Sequence, residues 1–223
     1  MAYEIFVIGI GPGSPDYLLP LAIKAVADCN ALAGGKRALK LFPDFSGATC
    51  LIGSALDEVS DFIDIQSQIG NVGVLVSGDP GFYSLLTYLR SRFPGRQFNV
   101  IPGISSVQLA FARLGIPWND GCLASLHGRE TDVWVEYLKY NKPVGLLTDK
   151  KYAASFIRST LIRADFTDED IEMFVCANLS YEDEKITQVQ LKNMEAADYT
   201  NAVVVITAKT REKISKYGGG ADA

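Results

Sequence analysis

Histidine is almost missing from this chain. Among 223 residues there is one, His127. A His-cluster metal centre is thereby excluded, and no metal site is expected. Cysteine is nearly as sparse: Cys29, Cys50, Cys122 and Cys176 stand far apart and form no C-x-x-C pair. A zinc site or a thioredoxin-like motif has no support, and buried free thiols are the expectation. Positive charge is in deficit, with 21 Lys and Arg against 26 Asp and Glu and a net charge of -5. That argues against a dedicated nucleic-acid binder, which usually carries a basic face. Long apolar runs are absent too, since no window approaches the roughly 18 residues of a membrane span. Met1-Ala2-Tyr3-Glu4 puts no basic region ahead of the short run Ile5-Phe6-Val7-Ile8. No signal peptide or membrane partner is read, and a cytoplasmic protein is expected.

What remains is an ordinary globular composition, 48% hydrophobic and 21% charged. A chain of this length holds one large domain or two small ones, and it can bury a core without disulfides or metals.

Residues 3–10 read as a buried strand: short, apolar, rich in β-branched side chains and closed by glycine. The loop Gly9-Ile10-Gly11-Pro12-Gly13-Ser14-Pro15 follows. Apolar spacing predicts a helix over 18–27, a strand over 31–33 and a helix over 54–68. Val72-Gly73-Val74-Leu75-Val76 is the continuous apolar run of an interior parallel strand. A helix over 82–92, a strand over 98–101 and a helix over 104–114 complete the first half. Alternating strands and helices imply a mainly parallel sheet covered on both faces. Gly115-Ile116-Pro117-Trp118-Asn119-Asp120-Gly121 breaks the rhythm. The expected domains are therefore residues 1–116 and 117–217, with 218–223 as a flexible tail. In the second half, strands are expected at 122–126, 144–147, 171–177, 186–190 and 202–206. Helices are expected at 131–139 and 152–163. The closer strand spacing suggests a mixed sheet.

Three loops follow strands: Gly9 to Gly13, Ser77-Gly78-Asp79-Pro80-Gly81, and Pro102-Gly103-Ile104-Ser105-Ser106. Ligands of open α/β sheets bind at the carboxyl ends of strands. Each loop also has a purely structural reading. The first matches a dinucleotide-binding turn poorly, because Pro12 and Pro15 delay the next helix. The acidic residue expected about 20 positions on would ride the next strand end, where Ala33-Gly34-Gly35 stands instead. In the second, Asp79 can accept bonds from an amine or a ribose hydroxyl, or cap a helix that Pro80 begins. In the third, Ser105 and Ser106 can cap a helix or face a ligand. Together the loops contain no activated nucleophile, metal cage or phosphate-gripping lysine. They suit an uncharged or zwitterionic ligand held by backbone contacts.

The order and placement of these loops resemble the tetrapyrrole (corrin/porphyrin) methylases across the whole chain. Three further segments resemble the branch that methylates carbon 5 of cobalt-precorrin-7 or precorrin-6Y. They are Gly34-Gly35-Lys36-Arg37, Ser125-Leu126-His127-Gly128-Arg129, and Ala177-Asn178-Leu179-Ser180-Tyr181-Glu182-Asp183-Glu184. The last departs from the family's usual glutamate-asparagine-leucine-glycine, with Ala177 and Ser180 in place of glutamate and glycine.

The resemblance implies a two-domain α/β fold (class III methyltransferase) with a mainly parallel first sheet and a mixed second one. It implies S-adenosylmethionine as cofactor, bound between domains by Pro12, Ser77, Gly78, Asp79, Phe82, Ser105, Ser106, Thr148 and Leu179. It implies a tetrapyrrole substrate bound by Gly11, Lys36, Arg37, Tyr83 and Arg129, with Lys36, Arg37 and Arg129 the candidates to pair with its carboxylates. His127 is the candidate catalytic residue, donating to a carboxylate or moving a proton near neutral pH. A homodimer is implied, and so is a separate decarboxylating methyltransferase as partner, because the chain is too short to carry a fused one. Other corrin methylases, diphthine synthase and the RNA 2′-O-methylases share the fold. A nicotinamide-dependent oxidoreductase is the alternative from another class.

Overall fold

The computed structural model describes residues 3–127, 131–148, 153–197 and 199–209. Its framework is two five-stranded sheets. The first holds β1 (Ile5–Gly9), β2 (Ala31–Gly34), β3 (Ala48–Leu51), β4 (Val72–Val76) and β5 (Phe98–Ile101) in the order β3-β2-β4-β1-β5. Every pairing in it is parallel. β1 and β4 are buried along their whole length, which is why both read as unbroken apolar runs.

β1 alternates strictly between the two faces. Phe6 and Ile8 pack with Ala22, Ala25 and Val26 of α1 (Pro20–Ala27) and Ala38 of α2 (Lys36–Leu39). Ile5 and Val7 pack with Val59 and Ile63 of α3 (Leu56–Gln66) and Leu89 of α4 (Leu86–Arg92). The period of two along a strand thus places one helical layer on each side.

The second sheet is mixed, as its spacing suggests. It holds β6 (Cys122–Ser125), β7 (Val144–Leu147), β8 (Ile171–Ala177), β9 (Lys185–Val189) and β10 (Ala202–Ala208) in the order β6-β7-β10-β8-β9. Only β6 and β7 run parallel, and the other three pairings are antiparallel. One face carries α6 (Trp134–Lys139) and α7 (Ala153–Arg163), packed on Val204, Ile206, Met173 and Val175. The other face is covered from the first half of the chain. α5 (Ser106–Leu114) follows β5, yet its Val107, Ala110 and Phe111 pack with Cys176, Val203 and Val205. Gly145 on β7 permits this approach: a Cβ there would lie 2.7 Å from both Phe111 and Val107. The segment 115–121 therefore joins two sheets that share a helix.

α5 begins with a capping box. Ser105 Oγ accepts the Gln108 N–H at 3.2 Å, and Gln108 Oε1 accepts the Ser105 N–H at 2.8 Å. It ends at Gly115, whose φ of 66° is left-handed.

Some expectations require correction. α4 starts at Leu86, not at residue 82, because Tyr83 has a φ of 48° and breaks any helix there. α1 starts at Pro20, after a 3-10 turn over Pro15–Tyr17. β3 and α2 were not anticipated, since four-residue elements give too few positions for a period to register. The tail at 218–223 lies outside the described residues. Among the described residues, no helix is long and apolar enough to cross a membrane.

Candidate functional site

β4, β1 and β5 are neighbours in the first sheet, so the three loops leave it side by side. They are bonded to one another. The Gly78 N–H donates to Gly11 O at 2.8 Å, and the Gly11 N–H donates back to Gly78 O at 3.4 Å. Both glycines take left-handed φ values, 76° at Gly11 and 70° at Gly78, that favour glycine. Asp79 ties the second loop to the third. Its Oδ1 accepts the Gly81 N–H at 2.7 Å, and its Oδ2 accepts the Gly103 N–H at 3.1 Å. Asp79 is therefore a staple between loops and not a helix cap, since α4 begins at Leu86. Where the loops meet, backbone touches backbone. A Cβ on Gly103 would stand 2.2 Å from Gly78 O, and one on Gly9 would stand 2.7 Å from the same oxygen.

A cavity of about 580 Å³ opens between this edge and the second sheet. That lies within the range of roughly 300–1,000 Å³ usual for small-molecule sites. Pro12, Ser77, Gly78, Asp79, Phe82, Ser105, Ser106 and Thr148 all line it, and so do Arg37, Tyr83 and His127. Three expected residues among those described are not in its wall. Gly11 is paired with Gly78 instead. Lys36 is exposed at the start of α2. Leu179 is buried among the residues that pack α5 on the second sheet. Arg129 lies outside the described residues.

The deep wall carries hydroxyls: Ser105, Ser125 and Thr148 are all buried. Ser105 Oγ accepts from Gln108, and Ser125 Oγ accepts the His127 N–H at 3.2 Å. Each therefore keeps its hydroxyl proton to donate. Thr148 Oγ1 donates to Ala202 O at 2.8 Å and keeps its lone pairs to accept. Arg37, Tyr83 and His127, by contrast, are exposed. The cavity thus has buried hydroxyls inside, beside an Asp79 carboxylate bonded to loop amides, and an outer wall carrying a guanidinium, an imidazole and a phenol. That donor set fits a zwitterionic adenosyl ligand inside. Among the described residues it offers no lysine to a phosphate, and the glycine loop runs into a 3-10 turn, so the dinucleotide reading lacks structural support.

Sequence reasoning missed the contacts that hold the far wall. The loop between β8 and β9 folds against the glycine loop. Ser180 Oγ accepts the Ser14 N–H at 3.0 Å. The Tyr181 ring rests on Gly13 so closely that any Cβ there would overlap it. The Arg37 guanidinium lies 5.8 Å from the centre of that ring. Arg113, on α5, donates to both Glu184 oxygens at 2.7 and 3.3 Å, and to Tyr17 Oη at 2.9 Å. Glu184 Oε2 also accepts the Ser180 N–H at 2.7 Å. The Arg113 bonds, helped by the Ser180 N–H, hold the Glu184 carboxyl below the usual carboxylate range. Ser180 takes a φ of 74°, so a serine accepts a glycine-like conformation here while its hydroxyl bonds Ser14.

Among the described residues no activated thiol stands ready. Burial, with Asp28 and Glu184 adding repulsion, pushes the Cys29 and Cys176 thiols up to about 12. Among the described residues, no group of three or more His, Cys, Asp or Glu side chains is placed to hold a metal.

Residues 4–195 match the family model of the Tetrapyrrole (Corrin/Porphyrin) Methylases. The chain is 36% identical over 200 residues to the cobalt-precorrin-7 C(5)-methyltransferase of Salmonella typhimurium, covering 90% of this chain and 97% of that protein. It is 33% identical over 208 residues to the probable cobalt-precorrin-7 C(5)-methyltransferase of Methanocaldococcus jannaschii, covering 91% and 96%. Among solved structures, it superposes on the uroporphyrin-III C-methyl transferase of Thermus thermophilus, complexed with S-adenosylhomocysteine. The TM-score is 0.73 at 17% identity, covering 92% of this chain and 97% of that one.

Proposed function

This chain belongs to the tetrapyrrole (corrin/porphyrin) methylases, and from that premise we propose that it methylates carbon 5 of a cobalt-precorrin-7-type corrin. The observation that carries this reading is the 36% identity spanning 97% of the Salmonella relative. The donor is S-adenosylmethionine, held in the cavity between the two sheets. When bound, it supplies an already activated methyl group, so the protein's task is alignment more than acid–base work.

Ser105 and Ser125, whose oxygens already accept within the protein, would donate hydroxyl hydrogen bonds to the donor, and Thr148, whose hydroxyl donates to Ala202 O, would accept one. The Gly78 and Ser77 backbone lies against it, with Pro12 and Phe82 supplying apolar wall. The Asp79 staple keeps the three loops in register and so fixes the donor's position. The electron-rich ring carbon of the acceptor is the nucleophile. Arg37 and His127, exposed in the wall, pair with peripheral carboxylates of the corrin. Arg129 pairs with a further corrin carboxylate in this reading.

A separate decarboxylating methyltransferase is the partner in this reading. A cytoplasmic homodimer completes the reading, and mass measurement in solution checks the dimer. Calorimetry tests the donor site: S-adenosylhomocysteine binds and raises the melting temperature, and NAD does neither. Failure of S-adenosylhomocysteine to bind would remove the reading.

A further inference from the structure

The donor site leaves one feature of the cavity wall without a role. Tyr83 has a φ of 48°. Glycine and asparagine visit that left-handed region readily, whereas for a bulky aromatic it is a strained conformation. The loop enforces it from both sides. Asp79 takes the Gly81 N–H through its side chain and the Phe82 N–H through its carbonyl. Beyond Tyr83, Ser84 Oγ donates to Pro80 O.

Burial does not account for the strain, because Tyr83 remains 50% exposed. Its ring lines the cavity and is braced edge-on by Phe82, with centroids 4.8 Å apart at 79°. Backbone strain of this kind persists where the surroundings over-determine it, and it collects at binding sites. The exposed Arg37 guanidinium and His127 imidazole share the same wall. A half-exposed aromatic face in a wall that also carries a guanidinium and an imidazole is complementary to a flat, conjugated ring rimmed with carboxylates.

We propose that Tyr83 is the stacking platform for the acceptor, held in left-handed geometry so that its ring lies against one face of the macrocycle. The inference rests on the corrin-methylase reading and adds the residue that orients the ring. It makes Tyr83 a determinant of acceptor affinity with no part in holding the donor.

The test titrates the whole chain with cobyrinic acid, a stable carboxylated corrin, and separately with S-adenosylhomocysteine. Melting temperatures are recorded alongside. Tyr83→Phe and Tyr83→Trp should keep the wild-type corrin affinity. Tyr83→Ala and Tyr83→Gly should each weaken it about tenfold, the scale of a lost aromatic stack. Affinity for S-adenosylhomocysteine should be unchanged in all four. Tyr83→Gly should melt roughly 2–4 °C above Tyr83→Ala, because glycine relieves the left-handed strain and alanine keeps it. Wild-type corrin affinity in both Tyr83→Ala and Tyr83→Gly would overturn the platform while leaving the methylase reading intact. So would a donor affinity that falls together with corrin affinity. A wild-type chain that binds S-adenosylhomocysteine but no corrin would overturn both the acceptor and its platform.

Discussion

Gly103→Ala is the sharpest perturbation of the junction on which the donor site is built. The added methyl would stand 2.2 Å from Gly78 O and 2.9 Å from Gly9 C. Ordinary contact begins at 3.4 Å, so one partner must retreat by more than an ångström (3.4 − 2.2 = 1.2). Both partners are backbone, and both are already committed. Gly78 is bonded to Gly11, and Gly9 closes a strand paired on both sides. The clash therefore cannot be relieved by turning a side chain. Overpacking of this kind costs about 1–3 kcal/mol. In a chain of this size each kcal/mol lowers the melting temperature by about 2–4 °C, so a fall of about 2–12 °C is expected. The larger effect should be on ligand affinity, because the third loop must move off Asp79 and carry Ser105 with it. Calorimetry should show S-adenosylhomocysteine binding weakened by about tenfold or more, the equivalent of 1.4 kcal/mol. Gly53→Ala is the control, since a Cβ there meets nothing within 4 Å, and it should change neither quantity. Unaltered melting and unaltered binding in Gly103→Ala would refute the claim that the three loops are locked by backbone contact.

Two further predictions concern the loop between β8 and β9. Glu184 is held ionised by Arg113, so its folded-state pKa lies below its unfolded value. Its contribution is present above the ordinary carboxylate range and disappears as pH falls through the folded value. Glu184→Gln should therefore lower stability at neutral pH by about 1 kcal/mol or less, the pair being partly exposed. That difference from wild type should vanish in acid, and a difference independent of pH in chemical denaturation would contradict the assignment. At Ser180, alanine keeps the left-handed strain and loses the bond to Ser14, whereas glycine loses the bond but relieves the strain. Ser180→Ala should cost about 1 kcal/mol, and Ser180→Gly should cost less. The reverse order in thermal melts would show that relief of left-handed strain at this position does not outweigh the added backbone freedom of glycine.

The sequence carried β1, β2 and β4 clearly because they are buried on both faces, whereas β3, largely exposed, gave no such run. β4 is a run of five apolar or small residues with no competing period. The loops were legible for the same reason, since glycine and proline follow each buried strand. What stayed hidden depended on distance in the chain. Nothing local in Val107 or Phe111 says that α5 belongs to the second sheet, because the matching signal is Gly145 on β7. Asp79 reads locally as a cap before proline, and only the fold brings Gly103 to its other oxygen. Arg113 and Glu184 look like solvated charges until α5 and the far loop meet. The aromatic at Tyr83 reads as a helix residue, since no pattern announces a positive φ on tyrosine.

Transfer of a labelled methyl group tests the account most directly. The chain is incubated with cobalt-precorrin-7 and S-adenosylmethionine labelled at the methyl carbon, and the product is examined by mass spectrometry and NMR. The account predicts one labelled methyl on carbon 5, with every carboxylate retained and S-adenosylhomocysteine formed in equal amount. A label at another carbon, a loss of carbon dioxide, or recovery of unaltered corrin from a chain that binds S-adenosylhomocysteine would contradict it.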